Sequence, residues 1–275
     1  MNELGKKVRE IRLNNHMSQQ QFAESLGYSH KSVINKIESG QRDMSYEKIL
    51  LMVKLYSLDI NDIKAMMPND TKQETRIDRV VIYIHGYQSS RKEFDFYKSF
   101  IVGYDVKNLA YDDGDIYKVG PIIREKFQKL TSKYREVVVI AHSIGAFYAM
   151  EYLSDQNIKK AFFISPITDM FQVLFDVMNK YKVTEKRLKK EENILLENGF
   201  TLSYSFYKHT LEDSDNWKVP TEVLFGYQDG LTYLNNTIAF ISSHNASLTI
   251  KNDADHYFKK PKDLDFIQKW ILRYL

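Results

Sequence analysis

The chain contains no cysteine. That removes disulfides, thiolate metal sites and a cysteine nucleophile together, and it suits a reducing compartment. The first residues, Met1 to Lys7, lack the apolar stretch of a secretory signal. No run approaches the roughly 20 apolar residues that span a bilayer. No membrane span and a cytoplasmic location are therefore expected. Charge of one sign is scarce as well: 39 Lys and Arg stand against 36 Asp and Glu. A net charge of +3 does not by itself argue for nucleic acid. What the chain does have is length for one or two domains and an aromatic content of 19 Tyr and 16 Phe. Such residues fill cores and line apolar pockets.

The pattern changes near residue 67. Before it, apolar residues recur at helical spacing in short segments. After it, β-branched apolar runs alternate with helical stretches. Met67-Pro68-Asn69-Asp70-Thr71-Lys72-Gln73-Glu74-Thr75 is polar, aperiodic and interrupted by proline, as a linker is. The reading is therefore domain 1–66, linker 67–78 and domain 79–275. No internal repeat stands out. The charged run 184–192 reads as a solvated helix face.

Five helices are expected between Asn2 and Met66. Leu4, Val8, Ile11 and Arg12 give the first its inward stripe. Ser18 and Gln21 have the spacing of a capping box, and Gly27 closes the second helix. A third runs from about His30 to Glu38, with Ile34 and Ile37 inward. Its N-cap is either Ser29 or His30. Ser45 caps a fourth, with Ile49, Met52, Val53 and Tyr56 repeating at three and four. A short fifth starts at Asp59. Ser18 to Gly27 followed by Ile34-Asn35-Lys36-Ile37-Glu38-Ser39-Gly40 closely resembles the phage-repressor (Cro/XRE-type) helix-turn-helix family. The turn Tyr28-Ser29-His30 is one residue longer than the common form. The resemblance implies a third helix in the major groove of a double-stranded DNA operator. Lys31, Ser32 and Asn35 would read bases; Gln19 and Lys36 would lie near phosphates. It also implies a homodimer. Ten basic against eight acidic residues to position 66 suggests modest non-specific affinity. A protein-association module is the alternative use of such a unit.

Beyond Arg79, strands are expected at 80–84, 106–111, 137–141, 161–165, 221–225 and 247–250. Continuous apolar strands separated by helices imply a parallel sheet covered on both faces. Ala141-His142-Ser143-Ile144-Gly145 follows a strand and opens a helix, the context of a nucleophile elbow. Ala141 stands where glycine is usual. Three further segments keep the order of the α/β-hydrolase family, which this region resembles over about 79–275. These are Ile84-His85-Gly86-Tyr87, Val219 to Asp229 with its acid past a strand end, and Asp255-His256 before the last helix. The resemblance implies a compact sheet of about six strands, a helical cap at 166–219 and a Ser143–Asp229–His256 triad. It also implies an oxyanion hole from the backbone N–H groups of Tyr87 and Ile144, with no metal or cofactor.

Blander roles exist for each residue: Ser143 as a helix cap, Asp229 as a turn residue, His256 as a surface histidine. Asp253 and Asp255 are rival acids. His85 and His142 read as structural neighbours, and Asp112, Asp113 and Asp115 as a loop shaping the pocket. Within the cap, no strand is expected. Met170 to Met178 and Ile194-Leu195-Leu196 read as helices, and Phe171, Phe175, Tyr204, Phe206 and Tyr207 are candidates for an acyl site. The function expected is a DNA-binding serine hydrolase acting on a small acyl ester, in the role of a ligand-responsive regulator. The alternatives are a regulator whose hydrolase fold only senses an acyl ligand, and an esterase or peptidase whose helical domain mediates association.

Overall fold

The computed structural model describes residues 2–56, 58, 77–87, 89, 91–111, 116–212 and 216–275. Its contacts divide the chain into Met1–Ile77 and Asp78–Leu275. The fifth helix expected from Asp59, most of the expected linker and Asp112, Asp113 and Asp115 lie outside the described residues.

The first unit holds α1 (Glu3–Asn14), α2 (Gln19–Ser25), α3 (Lys31–Glu38) and α4 (Tyr46–Leu55). Leu4, Val8, Ile11, Phe22, Ala23, Leu26, Ile34, Ile37, Met44, Ile49 and Met52 form its core. Ser18 and Gln21 make the reciprocal capping box at α2. The chain turns at Gly27, φ +70°. His30 is the N-cap of α3 and makes no side-chain cap bond. Instead Gln20 Oε1 accepts from the Lys31 N–H at 3.0 Å, so α2 supplies the cap of α3. Arg12 on the inward stripe is buried, and Glu38 pairs with it through Nε at 2.6 Å and Nη2 at 3.1 Å.

Among its described residues the second unit contains six parallel strands: β1 (Arg79–Ile84), β2 (Asp105–Leu109), β3 (Glu136–His142), β4 (Lys160–Ile164), β7 (Thr221–Gly226) and β8 (Ala246–Lys251). They lie in the order β2-β1-β3-β4-β7-β8. Alternation along β1 shows why both faces are covered. Val80, Ile82 and Ile84 enter one apolar layer with α6 (Ile116–Thr131) and α7 (Ile144–Leu153). Val81 and Tyr83 enter the other, with α5 (Arg91–Phe100) and α12 (Pro261–Tyr274). Strand β2 ends two residues short of the expected run, because Tyr111 leaves to stack on His85 with ring centroids 3.9 Å apart. The chain passes from β1 outward to β2 and returns beyond β1 to β3. The carboxyl ends of β1 and β3 therefore flank a topological switch point, where open α/β sheets leave a crevice.

Between β4 and β7 lie α8 (Met170–Lys180), α9 (Glu185–Glu191), β5 (Asn193–Leu195), β6 (Thr201–Ser203) and α10 (Tyr204–His209); α11 (Leu234–Ser243) follows β7. The expectation of no strand here is corrected. Ile194 and Leu195 are in an antiparallel hairpin, Ile194 opposite Leu202, rather than a helix. Glu192 at φ +60° stops α9 before this run begins, and the Leu196 N–H bonds the Phe200 carbonyl at 2.8 Å to close the hairpin. Among the described residues no helix is long and apolar enough to cross a membrane.

Candidate functional site

Ser143 sits between the last residue of β3 and the first of α7 with φ 56° and ψ −121°. A side chain in that region costs about 1–3 kcal/mol and persists only where its surroundings impose it. They do so here. The Ser143 N–H bonds the Ile164 carbonyl at 3.0 Å, and the Ser143 carbonyl accepts from Ala146 at 3.0 Å and Ile167 at 3.2 Å. Gly145 is required by a close approach: a Cβ there would lie 2.5 Å from the Ile84 oxygen and 2.6 Å from that of His85. Ala141, two residues before the serine, is fully buried and paired with Ile84 and Phe163, so its methyl group is accommodated.

A second close approach joins the other two loops. A Cβ on Gly226 would lie 2.6 Å from the Ala254 oxygen and 2.7 Å from that of Asp255. The loop after β7 therefore rests against the loop after β8, and the Gln228 N–H bonds the Ala254 carbonyl at 2.9 Å. Asp229 lies in the first of these loops and His256 in the second. Asp229 Oδ1 accepts from the N–H of Leu231 at 2.8 Å and of Thr232 at 3.0 Å. Oδ2 accepts from the Thr232 hydroxyl at 2.8 Å and from His256 Nδ1 at 2.7 Å. His256 Nε2 then lies 2.8 Å from Ser143 Oγ, placed to accept the hydroxyl proton. Burial would raise the Asp229 carboxyl, but the bond and charge of His256 and the two N–H donors outweigh it and hold it below the usual range. Asp253 is engaged with Lys251 and Lys262. Asp255 Oδ1 accepts from the N–H groups of Tyr257 at 3.0 Å and Phe258 at 3.3 Å.

Tyr87, Ser143, Ile144 and His256 line one cavity of about 340 Å³. His85 shapes the loop that carries Tyr87. Its ring lies under Tyr111, whose hydroxyl donates to the His85 carbonyl at 2.5 Å. One apolar wall comes from Met170, Val173, Leu174 and Val177, a single face of α8. Phe200 of the hairpin closes another side and packs edge-on against Tyr87. The aromatic candidates for an acyl site fall elsewhere. Phe171 lines a separate cavity, Phe206 and Tyr207 are core, and Phe175 is exposed. Helical phase explains this placement, since Phe171 and Phe175 stack with each other one position round from the cavity face. Sequence reasoning also missed Thr232, Gly226 and Gln20, whose roles depend on contacts rather than on motif.

In the first unit, Lys31, Ser32, Asn35 and Lys36 are all exposed along α3 and share one face at one- and four-residue spacing. Gln19 is half-buried and donates to Glu38 Oε2 at 2.9 Å, so it is tied to the buried Arg12–Glu38 pair. Among the described residues no group of His, Cys, Asp or Glu is arranged to hold a metal ion.

Residues 8–63 match the family model described as helix-turn-helix. Comparison with curated proteins finds no match. Solved structures similar to the chain include mouse alpha/beta hydrolase domain-containing protein 10, at 16% identity and TM-score 0.55, covering 70% of this chain and 88% of that one. Est1E from Butyrivibrio proteoclasticus matches at 15% identity and TM-score 0.53, over 71% of this chain and 87% of that one. The epoxide hydrolase of Bacillus megaterium matches at 12% identity and TM-score 0.50, over 71% and 93%. At such identities the likeness is one of fold. Residues 8–63 thus match a helix-turn-helix model, and the second unit has an α/β-hydrolase fold.

Proposed function

We propose that this chain is a DNA-binding serine hydrolase that cleaves small carboxylic esters. The observation that carries the reading is the unbroken line from Asp229 through His256 to Ser143, with contacts of 2.7 and 2.8 Å, ending in a partly apolar cavity. In the reaction, His256 Nε2 takes the Ser143 proton as Oγ attacks the acyl carbon. Asp229 keeps Nδ1 protonated and stabilises the imidazolium. The N–H groups of Tyr87 and Ile144 hold the oxyanion. The alcohol leaves with the proton from His256, and water, activated by the same imidazole, releases the acid. The acyl chain lies along the Met170–Val177 face of the cap at 166–219. The complete triad favours turnover over silent sensing, since each member is oriented by the next.

The exposed face of α3 supports the other half of the proposal: a homodimer on two operator half-sites, with Lys31, Ser32 and Asn35 at bases and Lys36 at phosphate. Gln19 supports the approach of the backbone from its place beside Glu38. A cytoplasmic regulator that responds to an acyl ligand suits both domains and the absence of cysteine. The test is a panel of acyl esters and a fluorophosphonate probe on wild type and Ser143→Ala, beside gel shifts with genomic fragments. Turnover and labelling that vanish together in the variant, with DNA retention unchanged, support the reading. Labelling that survives removes Ser143 from the mechanism.

A further inference from the structure

A second carboxylate–imidazole pair lies behind the catalytic histidine. His142 ends β3 and is buried, and its Nε2 lies 3.0 Å from the main-chain oxygen of His256. A carbonyl can only accept, so Nε2 carries the proton of this bond. The two rings are inclined by 28° with centroids 5.8 Å apart. On its other side, His142 Nδ1 faces Glu93 Oε2 at 3.9 Å. Glu93 stands in the first turn of α5, where Tyr83 donates to it at 3.0 Å and Ser89 Oγ donates to the same oxygen. Burial works against its charge, but His142, Ser89 and Tyr83 together lower the carboxyl to about 2. Both Glu93 and His142 border the cavity that holds Ser143.

The position of this pair gives it a task. His256 lies in an irregular loop between β8 and α12, outside any strand or helix that would hold its backbone. Its carbonyl bond to His142 ties that loop to β3, the strand that also ends at Ser143. We propose that Glu93 and His142 are positioning residues for the triad: they fix the main chain at His256, so that its imidazole stays in line between Asp229 and Ser143. They do so without touching the reacting atoms. This rests on the reading of Ser143 as the nucleophile.

Three substitutions separate this role from space filling. His142→Gln puts an amide N–H about where Nε2 stands. His142→Asn puts its amide about where Nδ1 stands and leaves the His256 carbonyl without its donor. Glu93→Gln removes only the charge. The readouts are kcat and KM on an acyl ester, the rate of fluorophosphonate labelling, and the downfield proton resonance of the His256–Asp229 bond. The Asn variant is expected to lose about 10²-fold in kcat, the scale of a 1 Å misplacement, with KM little changed. Its downfield resonance broadens or disappears. The Gln variant recovers most of the rate and the resonance, and Glu93→Gln lies between. An Asn variant equal to wild type overturns the proposal, as does a Gln variant as damaged as the Asn one. If His142→Asn does not fold, Glu93→Gln decides: an unchanged kcat and resonance overturn it. A wild type that neither labels nor hydrolyses esters overturns the nucleophile reading instead, and the resonance alone then decides the positioning role.

Discussion

The two units hold their candidate functional groups in opposite ways. On α3, Lys31, Ser32, Asn35 and Lys36 point outward from one helix, which is gripped from behind by Ile34, Ile37 and the Arg12–Glu38 pair. In the second unit the groups come from three loops, and Ser143 and His256 are 113 residues apart in sequence. The Asp229 and His256 side chains are almost wholly buried, and each bonds the next member of the line. A face that meets a partner needs only its scaffold held, so its residues can be replaced one at a time at modest cost. A line that moves a proton couples each group to its neighbour, and losses there are large and not additive.

The contrast is sharpest at the acid. Asp229→Asn is expected to lower turnover by about 10⁴, through the wrong imidazole tautomer. Asp253→Asn, at a residue held by two lysines, should leave steady-state rates on an acyl ester close to wild type. Comparable losses in the two variants would break the assignment. Next comes the close approach at the elbow. Gly145→Ala forces a methyl group into the Ile84 and His85 carbonyls, and overpacking of this kind costs about 1–3 kcal/mol. The shift of the denaturation midpoint measures it, against an exposed control, Ser32→Ala, for which no shift is expected.

If α3 meets DNA as proposed, Asn35→Ala should relax preference at a single base position, at about 1–3 kcal/mol. Lys36→Ala should weaken all sequences alike and reduce the salt slope by about one. Loss of all binding in either variant would mean that this face, too, works as one coupled unit. A smaller effect concerns acid stability. The Glu93 carboxyl is lowered from 4.5 to about 2 and that of Asp229 is also lowered. Carboxyls depressed in the folded chain contribute stability that is complete above their unfolded values and lost as pH falls through their folded ones. Melting midpoints should therefore fall with acid between pH 4.5 and about 2, and less steeply in Glu93→Gln. Parallel curves for the two proteins would count against this.

How far the sequence could be read depended on the range of the physics involved. The strands were legible because burial on both faces writes continuous apolar runs such as Val137 to Ala141. The elbow was legible because a sharp turn demands small residues around Ser143. Asp229 could be preferred over Asp255 because an immediate neighbour of His256 rarely reaches the outer ring nitrogen, and in the structure Asp255 bonds its own loop. The hairpin at Ile194 was not legible, since a three-residue apolar run suits helix and strand equally and its partner, Thr201 to Ser203, carries little pattern. The lining of the cavity was missed for a related reason. Aromatic content suggested Phe171 and Phe175, whereas the rotation of α8 presents Met170, Val173, Leu174 and Val177. The start of α3 could not be chosen between Ser29 and His30, because the deciding contact comes from Gln20, eleven residues before Lys31.

The separation of Ser143 from His256 also sets an order of events during synthesis and refolding. The elbow, with β1, β3 and β4 around it, leaves the ribosome well before β7, β8 and the loop that bears His256. Under the proposed mechanism a nascent chain would possess its serine long before its base, and would stay inert toward acyl groups until β7, β8 and the loop of His256 are in place. Closing so long a loop is slow compared with forming the local contacts of the first four helices. Reactivity toward a fluorophosphonate should therefore be the last signal to return when the denatured chain is refolded, trailing the helical circular dichroism. If both signals rise together from the first instant, the serine does not depend on the far end of the chain in this way.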